Sequence, residues 1–159
     1  SIVVYSYSKT LSLPGERIGY IAVNPKVHEA DDLIRALILC TRIMGFVNAP
    51  ALMQRIVANL QHITVDVKIY QKKRDLLCRG LARAGYKFIK PQGAFYLFVK
   101  SPVPDDVAFA QRLVQKNILV VPGSGFGTPG YFRIAFCVDD ATIRNSMKGF
   151  AAAIRECRS

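Results

Sequence analysis

The first residues of the chain that could do chemistry are one lysine and one arginine. Lys9 follows the apolar run Ile2-Val3-Val4-Tyr5 and has small hydroxyl residues beside it, Ser6 and Ser8, while Arg17 comes after a Pro-Gly break. A lysine amine is a nucleophile only when deprotonated, so a catalytic lysine needs desolvation or nearby positive charge. An arginine presents a planar fork of N–H donors that suits a phosphate or a carboxylate. Together the two side chains could hold a phosphorylated carbonyl compound whose aldehyde meets Lys9.

Pyridoxal phosphate is a compound of this kind, because it carries an aldehyde at one end and a phosphate at the other. Composition alone favours the alternative, in which Lys9 and Arg17 are two ordinary surface residues. The residue types by themselves leave both interpretations open.

Two other motifs match known sites in part. Gly125, Gly127 and Gly130 have the bare G-x-G-x-x-G spacing of a dinucleotide-binding loop. That loop needs a helix opening behind it, whereas here Pro129 interrupts the loop and a strand is predicted next. The stretch Ser6-Tyr7-Ser8-Lys9 fits the S-x-x-K of serine β-lactamases, but the companion S-D-N and K-T-G elements are absent. Neither nucleotide binding by the loop nor acyl transfer at the serine is favoured.

The elements that must position these residues are strands and helices in alternation. Apolar runs predict strands at Ile2–Tyr7, Arg17–Val23, Tyr86–Ile89 and Ala94–Lys100, and in the stretches ILVVPG and YFRIAF. Helical spacing predicts helices at Glu29–Ile43, Ala51–Arg83 and Asp106–Lys116, and in the last stretch DDATIRNSMKGFAAAIREC. Gly85 is predicted to end the long second helix, because glycine tolerates the left-handed conformation best. The aspartates of SPVPDD are expected to cap the third helix.

Composition narrows the class of protein. The chain has 159 residues, of which 51% are apolar, and a formal charge of +11. That charge admits phosphorylated small molecules, nucleic acid or anionic membranes as partners, although a solvated basic surface is the simpler explanation. The four cysteines form no CxxC pair and no cluster with histidine, which argues against zinc and for free thiols in a reducing compartment. No signal peptide and no apolar run long enough to span a bilayer is visible.

The stretch SYSKTLSLPGERIG resembles the lysine-attachment signature of class I/II aminotransferases, the aspartate-aminotransferase-like, fold-type-I enzymes that use pyridoxal phosphate. The agreement includes Lys9, Gly15, Arg17 and Gly19 at their spacing in that signature. The stretches YQKKRDLLCRGLARAGYKFIKPQGAFYLFVK and ILVVPGSGFGTPGYFRIAF continue the resemblance. It covers nearly all of the chain, but only the C-terminal part of a family member.

The resemblance implies a role for each site residue. Lys9 would be the Schiff-base lysine and the general acid and base of the reaction. Ser6 and Arg17 would bind the phosphate of pyridoxal 5'-phosphate, and Arg133 would bind the α-carboxylate of the substrate. Ser8 is a further candidate for lining the site, and no metal is expected.

The resemblance also implies the architecture. The expected fold is α/β, with residues 1–50 forming the end of the large cofactor-binding domain, residues 51–83 an interdomain helix and residues 84–159 a small α+β domain. The N-terminal part of the family supplies the aspartate that pairs with the pyridinium nitrogen, and this aspartate has no counterpart here. The chain alone is therefore expected to be inactive, because the electronics of the cofactor depend on that partner.

The expected function of the full-length parent is the transfer of an amino group from an amino acid to a 2-oxo acid, in the cytoplasm and by a homodimer. β-Lyase or cyclopropane-carboxylate synthase chemistry would use the same residues and stays open. An alternative of another class is a basic, non-catalytic module that associates with a partner or with nucleic acid. No recognition element for DNA is visible, and no membrane partner is expected.

Overall fold

The structure is a computed structural model that describes residues 1–157. The chain divides into two compact units, unit 1 at Ser1–Val65 and unit 2 from Asp66 onward. Each contains helices and a small antiparallel sheet, which confirms the predicted α/β class. Within the described residues, no helix has the length and apolar character needed to cross a bilayer.

Unit 1 is built around a two-stranded sheet. Its elements in chain order are β1 (Ile2–Ser6), α1 (Tyr7–Thr10), β2 (Gly19–Val23), α2 (Ala30–Ile43) and α3 (Ala51–Ala58). The strands β1 and β2 are antiparallel, and their register runs from Ile2 opposite Val23 to Ser6 opposite Gly19. The core of this unit is small and consists of Tyr7, Ile18, Met53 and Val57.

Unit 2 has a three-stranded sheet with helices packed around it. Its elements are α4 (Val67–Ala84), β3 (Tyr96–Lys100), α5 (Asp106–Val114), β4 (Val121–Pro122), a 3-10 turn (Gly123–Phe126), β5 (Tyr131–Ala135) and α6 (Asp140–Glu156). β5 is the central strand and pairs antiparallel with β3 and with β4. The core contains aromatic residues that are fully buried, among them Phe109, Phe132, Phe136 and Phe150.

Aspartates begin the three long helices of unit 2. The side chains of Asp66, Asp105 and Asp139 each accept a hydrogen bond from a backbone N–H in the first turn of α4, α5 and α6. Such caps satisfy N–H groups that have no partner inside the helix. Gly85 ends α4 at φ 92°, the left-handed conformation predicted for it.

The prediction of one interdomain helix over residues 51–83 is wrong. α3 ends at Ala58, and Asp66 starts a new helix by accepting a hydrogen bond from the Lys68 backbone N–H at 2.9 Å. Between them, the run Ile63-Thr64-Val65 is β-branched, which lowers helix propensity. The Val65 N–H instead donates to the Thr10 carbonyl at 2.9 Å. The stretch is therefore divided between the two units.

Each of the six predicted strands is shorter in the structure, and three of the differences bear on the sheet or on the site. The strand at Tyr86–Ile89 is reduced to a single bridge between Phe88 and Val99. The strand in ILVVPG comprises only Val121–Pro122, since proline has no N–H to continue the ladder. β1 ends at Ser6 and not at Tyr7, so Lys9 lies on the helical turn α1 and not at a strand end.

Candidate active site

The turn that carries Lys9 is fixed at its start by a serine. Ser6 ends β1 and caps α1, because its hydroxyl accepts a hydrogen bond from the Ser8 N–H at 3.3 Å. The Ser6 and Ser8 hydroxyl oxygens lie 3.0 Å apart. Tyr7 is 8% exposed and points into the core of unit 1, whereas Lys9 is exposed. One buried residue thus anchors a turn whose lysine lies at the surface.

Polar contacts from other parts of unit 1 hold the same turn. The Tyr5 and Thr10 hydroxyl oxygens are 2.6 Å apart, and the Thr10 carbonyl accepts the hydrogen bond from Val65. The Tyr7 hydroxyl lies 3.0 Å from the side-chain nitrogen of Gln61. Sequence reasoning missed these supports, because Gln61 and Val65 are more than fifty residues from the turn and lie where a continuous helix was predicted.

Arg17 lies two residues before β2 begins, at the same end of the β1–β2 pair. The Tyr7 N–H donates to the Ile18 carbonyl at 3.1 Å, and Ser6 is in register with Gly19. A Cβ at Gly19 would lie 2.3 Å from the Tyr5 carbonyl oxygen, so this close approach requires glycine. Arg17 has a left-handed backbone at φ 51° and is exposed. Its guanidinium donates one hydrogen bond to the Pro14 carbonyl at 2.8 Å.

The structure therefore brings Ser6, Ser8, Lys9 and Arg17 to one end of the β1–β2 pair. These groups fit pyridoxal phosphate by their donor chemistry. Lys9 and Ser6 are both exposed residues; a lysine amine is the kind of group that condenses with an aldehyde, and a serine hydroxyl can donate to a phosphate. Arg17 uses one guanidinium N–H on Pro14, whereas a guanidinium carries five such donors.

Of the four residues Ser6, Ser8, Lys9 and Arg17, only Arg17 lines a cleft in unit 1. The cleft has a volume of about 750 Å³ and lies between the β1–β2 pair and α2. Arg17, Tyr20 and Arg42 line it, but Ser6 and Lys9 do not. Because the lysine lies outside, the cleft by itself is not where an aldehyde would meet Lys9.

Arg133 lies in unit 2, on the central strand β5. Its neighbours in register are Phe98 on β3 and Val121 on β4. The guanidinium carbon is 4.3 Å from the centroid of the Tyr96 ring and 4.2 Å from that of the Phe126 ring. Arginine stacks favourably on aromatic faces in this way. Within residues 1–157, no carboxylate is paired with it.

Asp106 is a buried carboxylate that the sequence analysis assigned only to a helix cap. It is 4% exposed and accepts hydrogen bonds from the backbone N–H groups of Ser124, at 2.8 Å, and Gly130, at 3.3 Å. These bonds, that from Ser124 above all, hold its pKa below the usual range of a carboxyl. The Asp106 carboxylate thus holds the glycine-rich loop at 123–130 in place, and the strand β5 follows this loop. The sequence signal for this second role was the pair of consecutive aspartates, Asp105 and Asp106. One aspartate is enough to cap the helix, so the other was available for a different contact.

No group of three or more histidine, cysteine or acidic side chains in the described part of the chain is arranged to hold a metal ion. The four cysteines are unpaired thiols.

Comparisons with known proteins agree on one family. The family model described as aminotransferase class I and II matches residues 1–150. A probable aspartate/prephenate aminotransferase of Thermus aquaticus is 32% identical over 160 residues, covering 98% of this chain and 41% of the relative. The aspartate aminotransferase of Thermotoga maritima is 33% identical over 140 residues, covering 85% of this chain and 34% of the relative.

Solved structures give the same result for the fold. A crystal structure of an amino transferase from Eubacterium rectale superposes with a TM-score of 0.90 at 43% identity, covering 99% of this chain and 40% of the other. The aspartate aminotransferase of Thermotoga maritima gives a TM-score of 0.78 at 28% identity, with 97% and 40% covered. The chain thus spans about two fifths of the length of the proteins that it matches.

Proposed function

The chain belongs to the class I and II aminotransferase family, and on that premise we propose that its parent protein is a pyridoxal-phosphate-dependent aminotransferase. The reaction would transfer an amino group from an amino acid to a 2-oxo acid. The observation that carries the proposal is the grouping of Ser6, Lys9 and Arg17 at one end of the β1–β2 pair. A phosphorylated aldehyde requires an amine that reacts with its aldehyde and hydrogen-bond donors that bind its phosphate.

The roles of the cofactor-binding residues follow from their chemistry. Pyridoxal phosphate, when bound, supplies an aldehyde that condenses with amines and a ring that withdraws electrons from the adjacent carbon. Lys9 Nζ would hold the cofactor and, when released by the substrate amine, would hold or move a proton. Ser6 Oγ and the Arg17 guanidinium would bind the phosphate, with the serine held in place by its bond to the Ser8 N–H.

Arg133 would bind the carboxylate of the amino acid. A guanidinium and a carboxylate are both planar and can form two parallel hydrogen bonds, which fixes orientation as well as adding energy. The support for this role is that Arg133 stacks on two rings and has no carboxylate partner within residues 1–157. Its hydrogen-bonding edge is therefore available to a ligand.

The substrate class, the assembly and the location of the parent are also proposals. Relatives that match include proteins named aspartate aminotransferase and LL-diaminopimelate aminotransferase, which supports an α-amino acid as the amino donor. The family resemblance supports a homodimer in the cytoplasm.

The test uses the full-length parent and compares two lysines of unit 1. Lys9→Ala is expected to lower kcat by about a thousandfold or more, since a positioned acid or base contributes ~10²–10⁴-fold. It should also abolish the absorbance of the cofactor bound to the lysine. The control is Lys26→Ala, because Lys26 is exposed and belongs to the same unit. Full transamination by the Lys9→Ala protein would overturn the proposal.

A further inference from the structure

Two aromatic rings stack on the guanidinium of Arg133. The distances from its guanidinium carbon to the ring centroids of Tyr96 and Phe126 are almost equal, 4.3 and 4.2 Å. Because stacked rings leave the N–H groups at the guanidinium edge uncovered, the guanidinium meets a ligand through that edge. Arg133 is half-buried, and partial removal of a charge from water strengthens an ion pair formed there.

The two rings differ in how they are held. Tyr96 lies on β3, where it is opposite Ala135 in the sheet, so its position follows from the strand ladder. Phe126 ends the 3-10 turn in the 123–130 loop and is 45% exposed. Its only other ring contact among the described residues is an edge-to-face approach to Phe98, with centroids 6.0 Å apart. The position of the Phe126 ring therefore depends on how the loop is fixed.

Asp106 fixes both ends of that loop. One carboxylate oxygen accepts from the Ser124 N–H and the other from the Gly130 N–H, so a single side chain spans the segment that contains Phe126. The carboxylate is 4% exposed, and hydrogen bonds to a buried charge are stronger than those between neutral groups. The Thr128 N–H donates to the Gly123 carbonyl at 2.9 Å, which closes the loop on itself.

We propose that Asp106 is a positioning residue for Arg133, and that it acts through the 123–130 loop and the ring of Phe126. The inference deepens the proposed function and rests on it, because it gives Arg133 the substrate carboxylate as its ligand. Asp106 itself touches neither ligand nor cofactor in this scheme. It sets the orientation of the guanidinium edge by holding one of the two rings that stack on the guanidinium.

The first test needs no activity and uses the 159-residue chain. The Arg133 guanidinium lies over two rings, so ring currents are expected to shift the NMR signals of its protons. Asp106→Asn and Phe126→Ala are expected to move these signals toward ordinary arginine values, while Phe126→Tyr should keep them shifted. The control is Asp105→Asn, since Asp105 caps α5 but is not bonded to the loop and asparagine also caps helices.

The second test uses the full-length parent and separates binding from chemistry. Asp106→Asn and Phe126→Ala are expected to raise KM for the amino acid by about tenfold, the change that ~1.4 kcal/mol of lost binding produces. kcat and the absorbance of the bound cofactor should stay near the wild-type values. Phe126→Tyr should restore KM, which a general loss of folding would not allow.

The outcomes distinguish this inference from the proposed function. Unchanged Arg133 signals in a folded Asp106→Asn chain would overturn the inference, as would an unchanged KM when Arg133→Ala raises it. If Asp106→Asn does not fold, Phe126→Ala decides in the same way, because a half-exposed ring on a loop can be removed without opening the core. A parent in which Arg133→Ala leaves KM unchanged would overturn the carboxylate role in the proposed function, whatever the NMR signals show.

Discussion

The two units bury very different amounts of apolar surface. Sixteen buried residues form one core cluster in unit 2, whereas the cluster in unit 1 has four. α6 places Ile143, Phe150, Ala153 and Ile154 in the core, but α2 buries none of its fourteen residues. Several apolar side chains of unit 1 are largely exposed, among them Val4 at 76%, Ile43 at 75% and Phe46 at 70%.

The two candidate binding groups are therefore positioned by different means. Arg133 lies on the central strand of a sheet that is packed on a large core. Lys9 lies on a single helical turn, which is held by the buried ring of Tyr7 and by hydrogen bonds with Tyr5, Gln61 and Val65. Hydrophobic burial stabilises the first arrangement, and a few polar contacts determine the second.

The largest effect expected from this comparison is on the free energy of unfolding. Phe132 is 0% exposed in unit 2, and Phe132→Ala should cost about 3–5 kcal/mol, as is usual for a deleted core phenylalanine. Ile38 on α2 is 50% exposed, so Ile38→Ala should change the free energy by about 0.5 kcal/mol or less. Urea denaturation followed by NMR signals from each unit measures both. Equal losses of unfolding free energy in the two variants would contradict the difference in burial between the two units.

The sequence was sufficient for features whose signals are local. The apolar runs at the two ends of the signature predicted two strands, and these strands are present and pair with Ser6 opposite Gly19. The capping of α5 by SPVPDD was also predictable, since the cap Asp105 bonds to Ala108 three residues on. The roles assigned to Ser6, Lys9, Arg17 and Arg133 stay predictions.

The sequence was insufficient where a residue's partner is distant along the chain. Asp106 bonds to Ser124 and Gly130, which follow it by 18 and 24 residues. The spacing of apolar residues from 51 to 83 predicted one helix, because helical periodicity can continue across a break between two helices. Two weaker features indicated the break: the β-branched run Ile63-Thr64-Val65 and the capping residue Asp66.

A second prediction concerns the backbone of the two arginines. Arg133 lies in an ordinary strand, but Arg17 has a left-handed backbone at φ 51°, which costs an L-residue about 1 kcal/mol that glycine avoids. Arg17→Gly should therefore be more stable than Arg17→Ala by about 1 kcal/mol, and both should lose affinity for the cofactor in the parent. Thermal unfolding and cofactor titration measure the two effects.

Glu29 provides the matched control for this prediction. It has φ 56° and is exposed in the same unit. Glu29→Gly should likewise exceed Glu29→Ala in stability, but without any effect on cofactor binding. If Arg17→Gly is no more stable than Arg17→Ala while the Glu29 pair differs as expected, the strain at Arg17 is absent and the contrast between the arginines does not hold.

The smallest effect is expected in acid, and it falls on the better-packed unit. Hydrogen bonds from the backbone N–H groups of Ser124 and Thr142 lower the pKa of Asp106 and Asp139, respectively, in the folded protein. A carboxyl whose folded pKa is lowered contributes stability above its unfolded pKa, about 3.9, and this contribution is lost as the pH falls through the folded value. Unit 2 should therefore become less stable below about pH 4.

Asp106→Asn distinguishes this effect from a general weakening in acid. Asparagine does not titrate, so the variant should lose less unfolding free energy than the wild type when the pH is lowered from about 7 to about 3. The measurement is urea denaturation at each pH, followed by the amide signals of α5 and β5. Equal losses in the two proteins would mean that the Ser124 and Gly130 bonds do not favour the charged carboxylate. The 123–130 loop, and with it Phe126, would then need another explanation for its position.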